Sequence, residues 1–146
     1  MSRFCLTNRI PRALSDPIDC EVDALMLIGL TMKHPPEPDT IAVLLDHERR
    51  GLTIFTVTGT TQPDAMFELL DIIIDAGNES DDRLDGVILA SIRPNSGVEP
   101  ADVDRWLEAS DMAELGGIEL VEWFVIADDI QCPRDLLGQP PRWGSV

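Results

Sequence analysis

Residues 40 to 59 read "TIAVLLDHERRGLTIFTVTG", two runs of β-branched and apolar residues on either side of the polar stretch "HERRG". This is the pattern of an antiparallel β-hairpin with a short turn. It commits the chain to a sheet, and the remaining segments must supply further strands and the helices that cover them.

Those segments are legible in turn. In "SDPIDCEVDALMLIGLTMKH", Ser15 or Asp16 can cap a helix and Pro17 suits its first position. Ile18, Val22, Leu25, Met26 and Met32 recur at helical spacing, so a helix is predicted from about Pro17 to about Lys33. The run Ala24 to Leu30 also suits a strand. "TQPDAMFELLDIIIDAG" has Pro63 at a helix start, Asp64 in the first turn and Gly77 as a stop. Its apolar residues from Met66 to Ile74 surround most of the helix, which predicts one buried between layers. "GVILAS" is an all-apolar strand for the middle of a sheet. "PADVDRWLEASDMAELGG" is a helix with Val103, Trp106, Leu107 and Ala113 on one face, ended by Gly116 and Gly117. In "IELVEWFVIAD" alternation puts Ile118, Leu120 and Glu122 on one face and Val121, Trp123 and Val125 on the other.

The order helix, hairpin, helix, strand, helix, strand predicts an α/β (α+β) fold, three-layered, with a mixed β-sheet and flanking helices. The expected division is an N-terminal arm over 1–16, a single domain over 17–138 and a flexible tail over 139–146 that carries Trp143.

Charge bears on partners. With 27 acidic and 11 basic residues the formal net charge is −16. Most faces would repel a phosphate backbone or an anionic bilayer, so neither nucleic acid nor membrane is an expected partner. No apolar run approaches the roughly 20 residues of a membrane span, and the N-terminus lacks the apolar core of a secretory signal. Cys5, Cys20 and Cys132 form no Cys-x-x-Cys pair and read as ordinary thiols of a cytoplasmic protein. His34 and His47 fall in polar loops without partners at ligand spacing. No Gly-rich phosphate loop is present, and no cofactor is expected.

The chemistry-bearing stretch is "SIRPNSGVEPADVD", residues 91 to 104, where a strand runs into a loop and then a helix. It resembles the metal-site motif of the JAB/MPN (JAMM) family, RadC-like type, whose form is H-x-H-P-S-G, three loop residues, then P-S-x-x-D. Pro94, Pro100 and Asp104 match without a gap, while Ser91 and Arg93 stand at the two histidine positions. "LGGIELVEWFVIADD" is similar to the family segment LLGIPLLDHIIVGD, with Glu122 and Trp123 at its Asp-His pair. "IAVLLDHERRGLTIFTVTGTTQPDAMFELL" resembles the family's hairpin and first helix. The likeness spans roughly residues 40 to 138 and implies a cytidine-deaminase-like architecture. Glu37 and Asp39 lie near the place of the family's catalytic glutamate.

In the family, two histidines two residues apart share one side of the sheet. With the aspartate they hold a zinc ion that activates water. Ser91 is a poor ligand, and Arg93 has no lone pair to offer. At about 4 Å and an effective dielectric near 20, a guanidinium and a dication repel by roughly 8 kcal/mol. The resemblance therefore implies a domain without metal or catalytic residues, whose vestigial site is Ser91, Arg93 and Asp104, with Glu37, Asp39 and Glu122 as acidic neighbours. Either Arg93 and Asp104 pair across the vacated site, or Arg93 turns to solvent and Asp104 is an exposed first-turn carboxylate. The expected function is non-catalytic, through binding a protein partner. The alternatives are a hydrolase with an acidic metal site rebuilt around Asp104, or an unrelated small-ligand α/β domain.

Overall fold

A computed structural model describes Ala13, residues 15–79 and residues 83–143. In chain order the elements are α1 (Glu21–Thr31), β1 (Asp39–Leu45), β2 (Gly51–Thr58), α2 (Ala65–Glu79) and β3 (Gly86–Ile92). They are followed by α3 (Asp102–Leu115), β4 (Glu119–Ile126), β5 (Ile130–Gln131) and α4 (Pro133–Leu136). The five strands form one open mixed sheet in the order β2-β1-β3-β4-β5. Only β3 and β4 run parallel, joined by the helical crossover that parallel neighbours require. The pairs β1/β2, β1/β3 and β4/β5 are antiparallel.

The hairpin forms as its sequence predicts, and Asp46 closes it. Its Oδ1 accepts the amides of Glu48 and Arg50, each at 2.9 Å, while Oδ2 accepts Arg50 Nε at 3.1 Å. Arg49 takes the left-handed conformation that the tight turn demands, with φ 65°, a region few non-glycine residues enter.

The sheet separates two apolar layers. On one face α2 and α3 bury Met66, Leu69, Ile73, Trp106 and Ala109 against Ala42, Leu44, Leu89 and Trp123. On the other, Ile18 and the α1 residues Ala24 and Ile28 cover Ile41, Val43, Ile88, Val121 and Phe124. The central strands β1 and β3 are buried along their whole length, which explains their continuous apolar character.

Several elements depart from the sequence reading for identifiable reasons. Helix α1 begins at Glu21, not Pro17, because Pro17 bridges Arg50 and the Ile18 amide donates to Arg49 O at 2.7 Å. The start of the segment is thereby spent on the hairpin. Helix α2 is buried on one face only: Ile72 is 64% exposed. In β4 the pairing register shifts between Val87 and Ile88, so Leu120 and Trp123 share one face while Val121 and Phe124 share the other. One inserted residue thus breaks the simple alternation.

The expected flexible tail is instead packed over residues 139 to 143. Gln139 Oε1 accepts Trp106 Nε1 at 2.9 Å, Arg142 lies 4.5 Å from the Trp106 ring, and Trp143 stacks on Phe124. Cys20 is disulfide-bonded, with its partner outside the described residues, so the reading of three free thiols holds for Cys132 only. Separation in sequence is weak evidence against a disulfide, since loop closure costs little more as a loop lengthens. Among the described residues no helix is long and apolar enough to cross a membrane.

Candidate functional site

Strand β3 ends at a corner where the chain leaves the sheet, and Ser91 and Arg93 project from it on the α2/α3 side. Ser91 Oγ accepts the indole Nε1 of Trp123 at 2.9 Å in a buried hydrogen bond. The Arg93 guanidinium sits 5.7 Å from the centre of the same Trp123 ring, within the range of a cation–π contact. Ser91 is thus occupied in satisfying an indole donor that would otherwise be buried unpaired.

Arg93 is held by Asp102 rather than by Asp104. Its Nη1 donates to Asp102 Oδ2 at 2.6 Å and its Nη2 to Oδ1 at 3.1 Å, the parallel fork suited to a guanidinium and a carboxylate. Nη1 also reaches Gly97 O at 3.2 Å. Asp102 takes two further donors: the Glu99 amide at 2.7 Å and Arg105 Nη1 at 2.8 Å. Arg105 in turn donates to Asp64 at 2.9 Å and Glu99 at 3.1 Å. Two guanidiniums and three carboxylates therefore form one network across the loop from Arg93 to Asp102.

The electrostatics follow from this geometry. The side chain of Asp102 is wholly buried, and burial pushes its carboxyl up. The Arg93 hydrogen bonds, the Glu99 amide and Arg105 outweigh that push and hold it below the ordinary carboxylate range. The Asp104 side chain is exposed on the first turn of α3. An Arg93–Asp104 pair is therefore not formed, and the reading of Arg93 turned to solvent fails as well, since its side chain is 10% exposed. Successive residues of the first helical turn point in different directions, and only Asp102 faces the loop.

The other sequence-derived neighbours lie elsewhere. Asp39 is buried and accepts the Gly59 amide at 3.3 Å, while Lys33 bridges Glu37 and Asp39 at 3.3 and 3.5 Å. Glu122 pairs across the strands with Ile88, which belongs to the α1 side of the sheet, and is bound there by Arg134 Nε at 2.9 Å. Burial raises the Glu122 carboxyl against the opposing pull of Arg134. The β4 register shift is what swings it away from the corner. His34, His47, Asp128 and Asp129 lie outside the corner in loops between the strands and helices.

In front of the corner is a polar cleft of about 130 Å³ lined by Thr40, Thr60, Gln62, Ser91, Arg93 and Asn95 among others. The Thr40 and Thr60 hydroxyls bond each other at 2.9 Å. A catalytic zinc does not fit these side chains: one ligand position is an engaged serine, one is a cation, and the retained aspartate points away. Among the described residues no three His, Cys, Asp or Glu side chains converge to hold a metal ion.

Asp102, Arg105 and Asp64 carry the corner and were not singled out as its centre from sequence. A local signal exists in "EPADVDR". The Asp102 amide donates to Glu99 O at 2.9 Å and the Asp102 carboxylate accepts the Glu99 amide, a reciprocal closure across one turn. Arg105 lies three residues beyond Asp102, on the same helix flank. No known family profile matches the chain, and no curated protein is significantly similar to it.

Proposed function

We propose that this chain is a degenerate JAB/MPN-like domain of the RadC-like type, metal-free and non-catalytic, that works by binding another protein. The observation that carries this reading is the Arg93–Asp102–Arg105 network, which fills with fixed ion pairs the corner where the resembling family mounts its zinc ligands. A hairpin, a helix, a strand, a helix and a parallel strand in that order are consistent with the family's architecture. The polar cleft, at about 130 Å³, is smaller than typical small-molecule pockets, which favours a protein partner over a small ligand. A larger apolar groove of about 600 Å³ lies against β2, and its lining offers a single charged side chain, Arg83. It lacks the convergent polar groups that orient a small molecule.

The test is the metal content of purified full chain after dialysis, together with chemical cross-linking in the native cell. The expected result is zinc far below one equivalent and a discrete cross-linked protein complex. Stoichiometric zinc that survives dialysis, or a chain that cross-links to no protein, overturns the reading.

A further inference from the structure

The chain treats the two edges of its sheet differently. The β4 edge is covered by the chain itself: β5 pairs with Val125 and Ile126, and Arg142 donates to Leu120 O at 2.6 Å. At the opposite edge, no strand among the described residues pairs with the outer side of β2. Natural edge strands are blunted by lysines, prolines, bulges or shortness. Strand β2 has eight residues, and from Gly51 to Pro63 the chain carries no charged side chain although 26% of its residues are charged.

The surface beside this edge is apolar. Thr53, Phe55 and Val57 lie opposite Leu44, Ala42 and Thr40, and so point to the α2 face. Helix α2 packs Leu69 and Ile73 with Ala42 and Leu44, and β2 extends beyond that roof. Phe55 is left 46% exposed and Ile72, on the flank of α2, 64%. Between them runs the apolar groove, about 600 Å³ in volume, with Arg83 at the end near Leu52.

We infer that β2 is the seam of a two-fold homodimer, in which β2 of one copy pairs antiparallel with β2 of a second to make a continuous ten-stranded sheet. An antiparallel edge is self-complementary about a two-fold axis, which is the commonest symmetry of soluble oligomers. Three strand spacings, roughly 14 Å, then separate the two β1 strands. Phe55, Val57 and Ile72 of both copies share the space between the two α2 helices. Charge also selects this face. Two copies at −16 each can meet only where acids are absent, and β2 is such a strip. The axis also turns one groove end for end. That carries Arg83 toward the second copy's Glu68, exposed near the start of α2, and the contact forms twice.

Sedimentation velocity on the full chain across a concentration series tests this. The expected result is a species of twice the 16.1 kDa chain mass that dissociates on dilution. Ile72→Glu, at an exposed position, weakens the dimer about tenfold or more while leaving the monomer folded by circular dichroism. Arg83→Glu also weakens it, and Arg83→Glu combined with Glu68→Arg restores it. Leu115→Glu, on a side chain 90% exposed at the end of α3, changes nothing. A monomer at every concentration, whether the edge is covered by another part of the chain or by a different protein, overturns the proposal. So does a dimer indifferent to Ile72→Glu. Zinc in the purified protein would end the reading of the corner and leave the β2 seam untouched.

Discussion

Arg93 and Asp102 close the two ends of one loop: the guanidinium at the end of β3 grips both carboxylate oxygens at the start of α3, at 2.6 and 3.1 Å. The contact joins a strand to the helix that follows it, so the strand-to-helix corner is locked as a unit. With the Glu99 amide and Arg105 on the same carboxylate, every donor aimed at Asp102 is charged or part of the backbone. In a buried setting such a network is costly to assemble and more costly to break, because each partner left behind keeps its desolvation penalty.

Removing Asp102 should therefore destabilise the chain strongly. Asp102→Ala leaves Arg93 and Arg105 without their shared carboxylate and the Glu99 amide without its acceptor, a loss on the order of 3–5 kcal/mol. Asp104→Ala, two residues away and exposed, should stay within about 0.5 kcal/mol of the parent. Urea unfolding of both variants checks the pair. Equal effects would show that the two aspartates are not distinguished as the hydrogen bonds indicate.

The pH dependence separates two buried carboxylates by sign. The folded Asp102 carboxyl lies below its unfolded value, since Arg93, the Glu99 amide and Arg105 outweigh burial. Its stabilisation is present above the unfolded pKa, near 3.9, and is lost as pH falls through the lower folded value. Glu122 behaves oppositely. Burial raises its folded carboxyl against Arg134, so its contribution is full below the unfolded pKa and declines as pH rises through the folded value. The stability gap between parent and Asp102→Asn should shrink on acidification below about pH 4. The gap between parent and Glu122→Gln should instead shrink as pH rises from about 4 toward neutrality. Denaturant titrations at several pH values read both slopes.

Hairpin, central strands and crossover helix were legible because their apolar periods and turn residues are local. The hairpin turn "DHERRG" contains its own acceptor in Asp46, and the all-apolar β1 and β3 announce strands covered on both faces. The site was legible as a corner but not in its pairing. Asp102 and Asp104 differ only in which side of one helical turn they occupy, and spacing to Arg93 does not reveal that. Glu122 was misplaced because a single-residue register shift in β4 reverses the face of what precedes it. The packing of Gln139 and Arg142 depends on Trp106, more than thirty residues earlier, and a proline-rich tail carries no local sign of such a contact.

Ser91 is predicted to matter as a hydrogen-bond acceptor rather than as a relic. Ser91→Ala leaves the Trp123 indole N–H buried without a partner, at a cost of about 1–3 kcal/mol. Ser91→Thr keeps the hydroxyl and should recover part of that loss. In an NMR spectrum of the alanine variant the Trp123 indole proton should shift, while that of Trp106, bonded to Gln139, stays in place. An unmoved Trp123 resonance would mean that the two side chains are not coupled.

Cys132 should be chemically silent in the folded protein. Burial, with Glu122 and Glu21 adding their charge, pushes its thiol up to about 12, although Arg134 pulls the other way. Only the thiolate is nucleophilic, and a free cysteine has a pKa near 8.5. At about pH 8 the folded chain should therefore react with iodoacetamide on the order of 10³-fold more slowly than the unfolded chain. Mass spectrometry of the Cys132 peptide, after timed labelling in buffer and in urea, measures the ratio. Glu122→Gln should speed native labelling by removing one of the charges that oppose the thiolate, provided urea unfolding shows the variant folded. Rapid native labelling of the parent would show that the contacts among α1, β4 and the Cys132 segment open readily, and that Glu122 and Arg134 do not hold them shut.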